Sequence, residues 1–470
     1  MKTLRNVALA AVAVASVAVA AETPTATLLQ ELIRIDTSNP PGNEGKLDDM
    51  LAAKLRPLGF LIDIIPTPVA GKTVMFARLK GDGSAKPVLI AAHADVVGVE
   101  RDKWTVDPFA GTIKDGYVYG RGAIDFKGGM AVFAQAVMNL AKNKIPLKRD
   151  VIFLVESDEE SATWNTSWLA QQHWDKMDCE FALNEGGWIM TNPNGGVRYV
   201  SVSTNDKSSI GIQLTARGTS THSSMPLPDN AIFALARALA KLGDYETKVE
   251  LIPSTKQFFT TLGKTSDPAN AHYYVDLVDG KDPAKLAAAD KKISEDPLLH
   301  AIMRNTIAPV IISGGFRGNV IPGSAEATVN FRTIPGTTPE DLIAMVKKII
   351  NDNTVEVSAP RPTASSRPGD VIQNQALTRE SSTDSALYRA LVASSGKLWP
   401  GVPVTPYLFQ AGTDAAPWRS RGIPVYGIYP YPISNDDLRR MHGNDERVRV
   451  ESLEQGTQLI YDTLLAVAAK

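Results

Sequence analysis

DVIFLVESDEES, residues 150–161, sets an apolar run directly against a cluster of acids. The run at 151–155 is rich in Val and Ile and predicts a buried strand. The acids that follow it are Glu156, Asp158, Glu159 and Glu160. Because carboxylates repel one another and are costly to bury unpaired, they need either water or a strong positive charge beside them.

A second run of the same kind, KPVLIAAHADVV, lies upstream at 86–97, and the intervening segment 128–144 has helical composition. Strand, helix and strand in this order predict an α/β layer. Functional groups in such sheets gather where the strands end. His93, Asp95 and the acids of 156–160 all fall at such positions.

The pattern changes from about residue 207. The segments 209–218 and 325–334 alternate between apolar and polar residues, as half-exposed antiparallel strands do. Residues 229–245 and 338–353 have amphipathic helical patterns. We therefore predict an α/β fold that an α+β domain interrupts. The predicted boundaries are a leader at 1–20, the first part of the α/β domain at 21–206, the insertion at 207–378 and the second part of the α/β domain at 379–470.

The first residues have the pattern of a secretory signal. Lys2 and Arg5 precede a run of small apolar residues, and AVA at 18–20 resembles a cleavage site. The alternative is an uncleaved membrane anchor, but a run of about 15 residues, mostly Ala and Val, is short and weakly apolar for a span. We expect a protein that is exported, periplasmic or secreted, and free of the membrane after cleavage.

Charge and motifs argue against several other classes of protein. Lys and Arg number 49 against 51 Asp and Glu in 470 residues, without a basic block, so we expect no nucleic-acid partner. The sequence has no H-E-x-x-H motif and no G-x-S-x-G elbow. Cys179 is the only cysteine, so no disulfide forms within the chain, and a buried structural role suits it better than catalysis.

Scattered histidines and carboxylates remain, each of them a weak signal alone. His93 and Asp95 share one face of an extended strand, and a metal-bound imidazole usually donates its other N–H to a carboxylate. The candidate ligands are His93, Asp125, Glu160, Glu185 and His442. Two zinc-like ions can share Asp125 and still keep positions open for water, as catalytic sites do. Two ions roughly 3.5–4 Å apart acidify a bridging water and polarise a carbonyl.

These residues lie in motifs that resemble the dinuclear-zinc exopeptidase and aminoacylase superfamily. It includes glutamate carboxypeptidase, succinyl-diaminopimelate desuccinylase, aminoacylase and, closest in wording, the carboxypeptidase S branch. The resemblance covers about residues 25–470 and implies a catalytic domain, with a mixed sheet flanked by helices, interrupted by a lid and dimerisation domain. The matching motifs, in chain order, are HADVV, WTVDPFAG, YGRGAIDFKGG, ESDEES, LNEGG, ARGTSTHSSMP, NVIPGSAEATVNFRTIPG, GTDAAPW and MHGNDERV.

The resemblance implies a role for each matching residue. One zinc would be held by His93 and Glu185, the other by Glu160 and His442, and Asp125 would bridge the two. Glu159 would be the general base, Asp95 would orient His93, and His222 would stabilise the oxyanion, often from the partner subunit of a dimer. The implied substrate-binding residues are Asn319, Arg332, Gly412 and Thr413. The family also implies a cis peptide at Asp125–Phe126.

We therefore predict an exported enzyme with two Zn²⁺ per chain, for which Co²⁺ or Mn²⁺ can substitute. It would cleave an amide or peptide bond next to a free carboxylate, acting as a carboxypeptidase or dipeptidase on short peptides. N-acyl amino acids are the alternative substrate, since the same metal chemistry serves both. A non-catalytic binding protein on the same scaffold and a periplasmic solute-binding protein are further alternatives, but neither needs this ligand set together with Glu159. A homodimer through the inserted domain is also expected.

Overall fold

The computed structural model describes residues 22–161, 164–360 and 379–470. The predicted leader at 1–20 lies outside this part of the chain. The strands are β1 (Leu61–Pro66), β2 (Thr73–Leu79), β3 (Val88–His93), β4 (Thr112–Lys114), β5 (Tyr117–Tyr119), β6 (Val151–Glu156), β7 (Phe181–Thr191), β8 (Val197–Asp206), β9 (Ser208–Arg217), β10 (Thr221–His222), β11 (Thr306–Gly314), β12 (Val320–Ile321), β13 (Ser324–Thr333), β14 (Val355–Ser358), β15 (Val404–Phe409), β16 (Val425–Ile433) and β17 (Arg447–Arg449).

Helices pack against the two main sheets, which have eight and four strands. They are α1 (Pro24–Ile33), α2 (Glu44–Leu55), α3 (Lys127–Lys142), α4 (Thr166–Gln172), α5 (Trp174–Met177), α6 (Ala231–Gly243), α7 (Pro253–Thr265), α8 (Pro268–Asp279), α9 (Pro283–Ile293), α10 (Pro297–Ile302), α11 (Pro339–Ile350), α12 (Ala386–Leu398), α13 (Ala416–Arg419), α14 (Asn435–Leu438) and α15 (Val450–Ala468). Among the described residues, no helix combines the length and the apolarity that a bilayer span requires.

The larger sheet has eight strands in the order β1-β2-β6-β3-β7-β16-β8-β15. Its centre is parallel, from β6 through β3 and β7 to β16. The pairs β1–β2, β2–β6 and β16–β8 are antiparallel, and β15 pairs with β8 in the parallel sense at the edge. The result is a mixed sheet in an α/β fold, as predicted. The parallel centre brings the ends of β3 and β6 to the same edge.

Strand β6 is buried along its whole length. Val151, Phe153 and Val155 join the core that α1, α3 and α15 cover, whereas Ile152 and Leu154 join the core under α4, α5 and α13. Alternate side chains therefore fill opposite faces of the sheet, which explains why the run is continuously apolar rather than alternating. The prediction of a buried strand here is confirmed.

The smaller sheet is antiparallel, in the order β11-β13-β9-β14. One face packs on α6 and α11 and encloses a separate apolar core. Helix α11 begins as predicted: Pro339 stands at its start and Thr338 and Asp341 form a capping box, which satisfies amide groups that the first turn leaves free. Strands β10 and β12 form a two-stranded antiparallel ribbon. In the sequence, β10 follows β9 and β12 lies between β11 and β13.

Helices α7 to α10 pack with the larger core rather than the smaller one. Phe258 of α7 makes edge contacts with Tyr199 and Tyr407, whose strands lie at one side of the eight-stranded sheet. The range 207–378 therefore contributes residues to both cores: 208–243 and 306–358 build the smaller unit, and 253–302 cover the larger sheet. Residues 361–378 lie outside the described chain.

Candidate metal centre

The ligand candidates come from loops and strand ends at one edge of the larger sheet. His93 is the last residue of β3, and Glu160 follows β6. Glu185 lies in β7 at a register shift against β16, where a Cβ on Gly427 would stand 2.1 Å from the carbonyl oxygen of Glu185. Only glycine allows this close approach, and the irregularity aims Glu185 toward His93.

Two groups of three residues meet at Asp125. In the first, His93 Nε2 lies 3.1 Å from Asp125 Oδ1 and 3.5 Å from Glu185 Oε2. In the second, His442 Nε2 lies 3.0 Å from Asp125 Oδ2 and 3.1 Å from Glu160 Oε1. The two oxygens of one carboxylate thus face different groups, which is the arrangement that a bridging ligand requires. The structure brings all five predicted ligands together.

The donors suit a borderline divalent cation such as zinc. Each group offers one imidazole nitrogen and two carboxylate oxygens, all within 4.8 Å of one another. Zinc binds such atoms at about 2.0–2.2 Å, so tetrahedral ligands stand about 3.3 Å apart, close to the distances between these atoms. Three protein ligands per ion also leave a position for water or substrate.

The two groups differ in their access to solvent. His93, Asp125 and Glu185 are buried, whereas Glu160 is half-buried and His442 is exposed. Substrate must therefore approach from the His442 side, because the opposite side is closed by the sheet and the core beneath it.

Asp95 organises the loop that carries the acids. His93 Nδ1 lies 3.0 Å from the carbonyl oxygen of Asp95 and 3.5 Å from its Oδ1, which leaves Nε2 free for a cation. The carboxylate of Asp95 also accepts the amide N–H groups of Glu159 and Glu160, each at 3.1 Å. It therefore orients two loops, where the sequence predicted only an effect on His93.

Glu159 belongs to neither ligand group, and it faces charge on both sides. Burial, followed by the negative charge of Glu185, raises the pKa of the Glu159 carboxyl well above its usual value. Arg332, on β13 of the smaller unit, interacts with it electrostatically: burial lowers the pKa of that guanidinium and the charge of Glu159 opposes the shift. A half-buried carboxyl beside a cation site, with a raised pKa, suits proton transfer.

The other two acids of the opening run have different partners. Asp158 pairs with buried Lys72 and accepts a hydrogen bond from Asn39. Burial, followed by the charge of Asp414, raises the pKa of Glu156 well above its usual value. Of the four acids, only Glu159 and Glu160 therefore lie at the centre, and Glu156 and Asp158 interact with residues behind the loop.

Sequence reasoning missed Tyr429. Its buried hydroxyl, on β16, lies 3.0 Å from Asp125 Oδ1 and 3.0 Å from Glu185 Oε2, and its ring stacks on Trp188 with centroids 4.2 Å apart. The hydroxyl thus touches two ligand carboxylates. One tyrosine among 12 carries no local signal of this contact, because the contact depends on how β16 and β7 pair.

The predicted substrate-binding residues are more widely spread. His222 and Asn319 are exposed and adjacent, since the amide of Ser223 donates to the carbonyl of Asn319 at 3.0 Å. Within the described chain no hydrogen bond or ion pair joins them to the ligand groups. Thr413, which follows half-buried Gly412, donates its hydroxyl to Asp206 at 2.5 Å. The role of His222 at the oxyanion and the roles of Asn319, Gly412 and Thr413 in substrate binding stay predictions. The peptide Asp125–Phe126 is cis, as the resemblance implied.

Without a cation, the ligands His442 and Glu185 hold protons more tightly than usual. Hydrogen bonds with Asp125 and Glu160 raise the pKa of His442 to about 10. Burial raises the pKa of Glu185 to about 7, with His93 in opposition. Burial would also raise the pKa of Asp125, but hydrogen bonds from His442 and His93 hold it below its usual value. A cation must displace protons from His442 and Glu185 in order to bind.

We expect the stabilisation by added Zn²⁺ to increase as the pH rises from about 5.5 to about 8. The cation-free folded chain holds protons that the unfolded chain loses above the ordinary values of 4.5 for Glu and 6.5 for His. The free energy of unfolding of the cation-free chain therefore falls as the pH rises through this window, while the affinity for the cation rises. Thermal unfolding with Zn²⁺ and with chelator should give a Tm difference that widens with pH. A constant difference would show that no protons are displaced.

The mixed α/β fold and the paired ligand groups are those of a metal-dependent hydrolase. Residues 89–466 match the profile of peptidase family M20/M25/M40, and the chain belongs to this family. The chain is therefore a hydrolase of the metallopeptidase class, and the predicted family resemblance is confirmed.

Curated relatives and solved structures agree with this placement. A Dictyostelium discoideum protein described as probable carboxypeptidase S-like 2 is 31% identical over 387 residues, or 81% of this chain and 71% of the relative. The human N-fatty-acyl-amino acid synthase/hydrolase PM20D1 is 29% identical, over 83% of this chain and 76% of its own. An M20 family metallo-carboxypeptidase from Sulfolobus solfataricus shares the fold at a TM-score of 0.68 and 19% identity, covering 94% of this chain and 99% of its own.

Proposed function

We propose that this protein is an exported hydrolase that uses two divalent cations, with zinc as the first choice, to cleave the amide bond next to a free carboxylate in short peptides. Carboxypeptidase or dipeptidase activity is the expected form. The observation that carries the proposal is the bridging geometry of Asp125, which places one carboxylate oxygen in each ligand group. Co²⁺ and Mn²⁺ are possible substitutes.

The chain's own residues divide the work of the reaction. When bound, the cations lower the pKa of water and polarise the scissile carbonyl. Glu159 takes the proton of the attacking water and later delivers a proton to the departing amine. Arg332 holds the substrate carboxylate in bidentate fashion, which its electrostatic interaction with Glu159 supports. His222 donates to the oxyanion that develops on the carbonyl.

N-acyl amino acids are the second candidate substrate. They present the same amide bond beside the same carboxylate, and one relative that covers most of this chain is named as an N-fatty-acyl-amino acid synthase/hydrolase. The two candidates differ only in the group on the far side of the scissile bond. The metal centre and Arg332 serve both.

A substrate panel separates these candidates and tests the proposal. The panel pairs dipeptides with N-acetyl and N-palmitoyl amino acids, and each substrate with its carboxamide-capped analogue. We expect chelator-sensitive hydrolysis of dipeptides with free carboxylates and much slower cleavage of the capped forms, because Arg332 loses its partner. Faster cleavage of the N-acyl series selects the second candidate. If the zinc-loaded protein hydrolyses neither series, the proposed function is contradicted.

We further propose that two copies of the chain join through the smaller sheet. Strand β11 is an edge strand, and its exposed apolar side chains include Ile311 and Ile312, 62% and 68% exposed. Phe233 of α6 adds a third, at 66%. An unpaired edge flanked by apolar side chains favours pairing with another strand, and a second copy supplies a matching one. A dimer of this kind would allow His222 of one copy to act at the metal centre of the other.

Light scattering of the purified chain tests the dimer. We expect Ile312→Lys to yield monomers, because a lysine on the outer face of β11 opposes pairing between like edges. Leu61→Lys is the matched control, since Leu61 is 59% exposed on the edge strand of the other sheet. A dimer that survives Ile312→Lys, or a monomeric parent chain, contradicts the proposal.

Export is proposed from the sequence of residues 1–20 alone. Mass spectrometry of the protein recovered from its native host should find a mature chain that begins at residue 21 or 22. A chain that retains Lys2 and Arg5 would contradict export by a cleaved signal.

A further inference from the structure

A buried ion pair joins two loops that carry metal ligands. Arg121 and Glu446 are 2% and 0% exposed, and Arg121 Nη1 lies 2.5 Å from Glu446 Oε2. Arg121 stands four residues before Asp125, and Glu446 stands four residues after His442. Neither side chain is a ligand candidate, and neither faces Glu159 or Arg332 in any described contact.

Glu446 holds the loop of Asp125. Its Oε1 accepts the amide N–H groups of Ile124 and Asp125, at 2.7 and 3.1 Å, and its Oε2 accepts the amide N–H of Gly122 at 3.2 Å. A carboxylate that accepts three amide groups and a guanidinium uses nearly all of its lone-pair directions. The backbone that presents Asp125 is thereby fixed to the loop that follows His442.

Arg121 holds the loop of His442 in return. Its Nη2 donates to the carbonyl of Gly443 at 2.9 Å and to the carbonyl of His442 at 3.3 Å. His442 has a φ of 59°, in the left-handed region that residues other than glycine rarely adopt. Such a conformation persists only where its surroundings hold it, and the guanidinium supplies two of the contacts that do so.

The remaining ligands are held by other means. His93 ends a strand of the larger sheet, Glu185 lies within β7, and the amide of Glu160 donates to Asp95. The group of His93, Asp125 and Glu185 therefore depends on the ion pair through one ligand only. The group of Asp125, Glu160 and His442 depends on it through two of its three ligands.

We propose that Arg121 and Glu446 are positioning residues that control the affinity of the His442 ion site more strongly than that of the His93 site. The proposal rests on the two-cation function proposed above. Groups that orient ligands without touching the metal typically change its affinity by about 10–100-fold when mutated. Loss of the pair should thus weaken binding of the ion at the His442 site more than binding of the ion at the His93 site.

Equilibrium dialysis against Co²⁺ alone tests this inference on the full chain. In Glu446→Gln and in Arg121→Lys, we expect the second ion to bind about 10–100-fold more weakly than in the parent chain and the first ion to lose clearly less affinity. The control is Arg304→Lys, which alters another buried guanidinium, 1% exposed and paired with Asp290 and Glu246, away from the ligand loops. The control variant should bind both Co²⁺ ions with the affinities of the parent chain.

Two different single variants distinguish a specific loss of ion affinity from misfolding. Arg121→Lys retains the buried positive charge, whereas Glu446→Gln removes the buried negative charge. The double variant should lose no more affinity for the second ion than the worse single variant, since the pair acts as one unit. Unchanged affinities in both single variants overturn the inference, and so does equal weakening of both ions. A parent chain that binds only one Co²⁺ contradicts the proposed function as well, whereas a parent chain that binds two Co²⁺ with the same affinities as both single variants contradicts this inference alone.

Discussion

Glu159→Ala is expected to keep both cations and to lower turnover by about 10²–10⁴-fold, the usual contribution of a positioned general base. The side chain lies outside both ligand groups, so its removal leaves the donors in place. Its carboxyl has a raised pKa because it is buried near Glu185, so it can accept a proton and give it up again. Steady-state kinetics and metal analysis on the same sample measure the turnover and the number of bound cations.

Glu160→Ala is the matched comparison. The neighbouring carboxylate lies 3.1 Å from His442 Nε2 and belongs to the second ligand group. We expect this variant to lose one cation, whereas Glu159→Ala loses none. Activity retained in Glu159→Ala, or a cation lost from it, would contradict the assignment of the base.

Asp125→Ala is expected to have the largest effect of any single ligand change, because both groups lose a donor at once. Each group would keep one imidazole and one carboxylate, too few for the three protein ligands of a catalytic zinc site. We expect this variant to bind neither cation firmly and to hydrolyse substrate no faster than the chelated parent chain. Mass spectrometry of the metal content and the substrate panel measure the two effects.

His442→Ala and His93→Ala provide the comparison for Asp125. Each removes a donor from one group only, so each should keep one cation. If Asp125→Ala retained two cations, the bridge would be wrong even though the five side chains lie close together. If the histidine variants lost both cations, the two sites would be coupled more tightly than their separate donor sets indicate.

The sequence predicted the centre well because its donors lie in short, local patterns. His93 and Glu160 each follow an apolar run that is long enough to predict a strand, and the ends of adjacent parallel strands meet. Asp125 lies in a glycine-rich segment, and His442 in a polar one. Their family motifs can be recognised without knowledge of the pairing of strands. Strands β3, β6, β9 and β13, helices α3, α6 and α11, and the α/β class followed from the same local patterns.

Features that depend on long-range packing could not be predicted in this way. Tyr429 reaches Asp125 across more than 300 positions of sequence, and Arg121 meets Glu446 over a similar separation. The sequence MHGNDERV contains Glu446, but nothing local shows that its carboxylate turns inward to accept backbone amides. Helices α7 to α10 are amphipathic or short, and the sheet they cover is decided by tertiary contacts alone.

Anomalous diffraction at the zinc edge, from crystals grown with saturating Zn²⁺, tests the central claim most directly. We predict two peaks about 3.5–4 Å apart. One should lie among His93, Asp125 and Glu185, and the other among Asp125, Glu160 and His442. A single peak, or none within these groups, would contradict the two-cation centre on which the proposed chemistry depends.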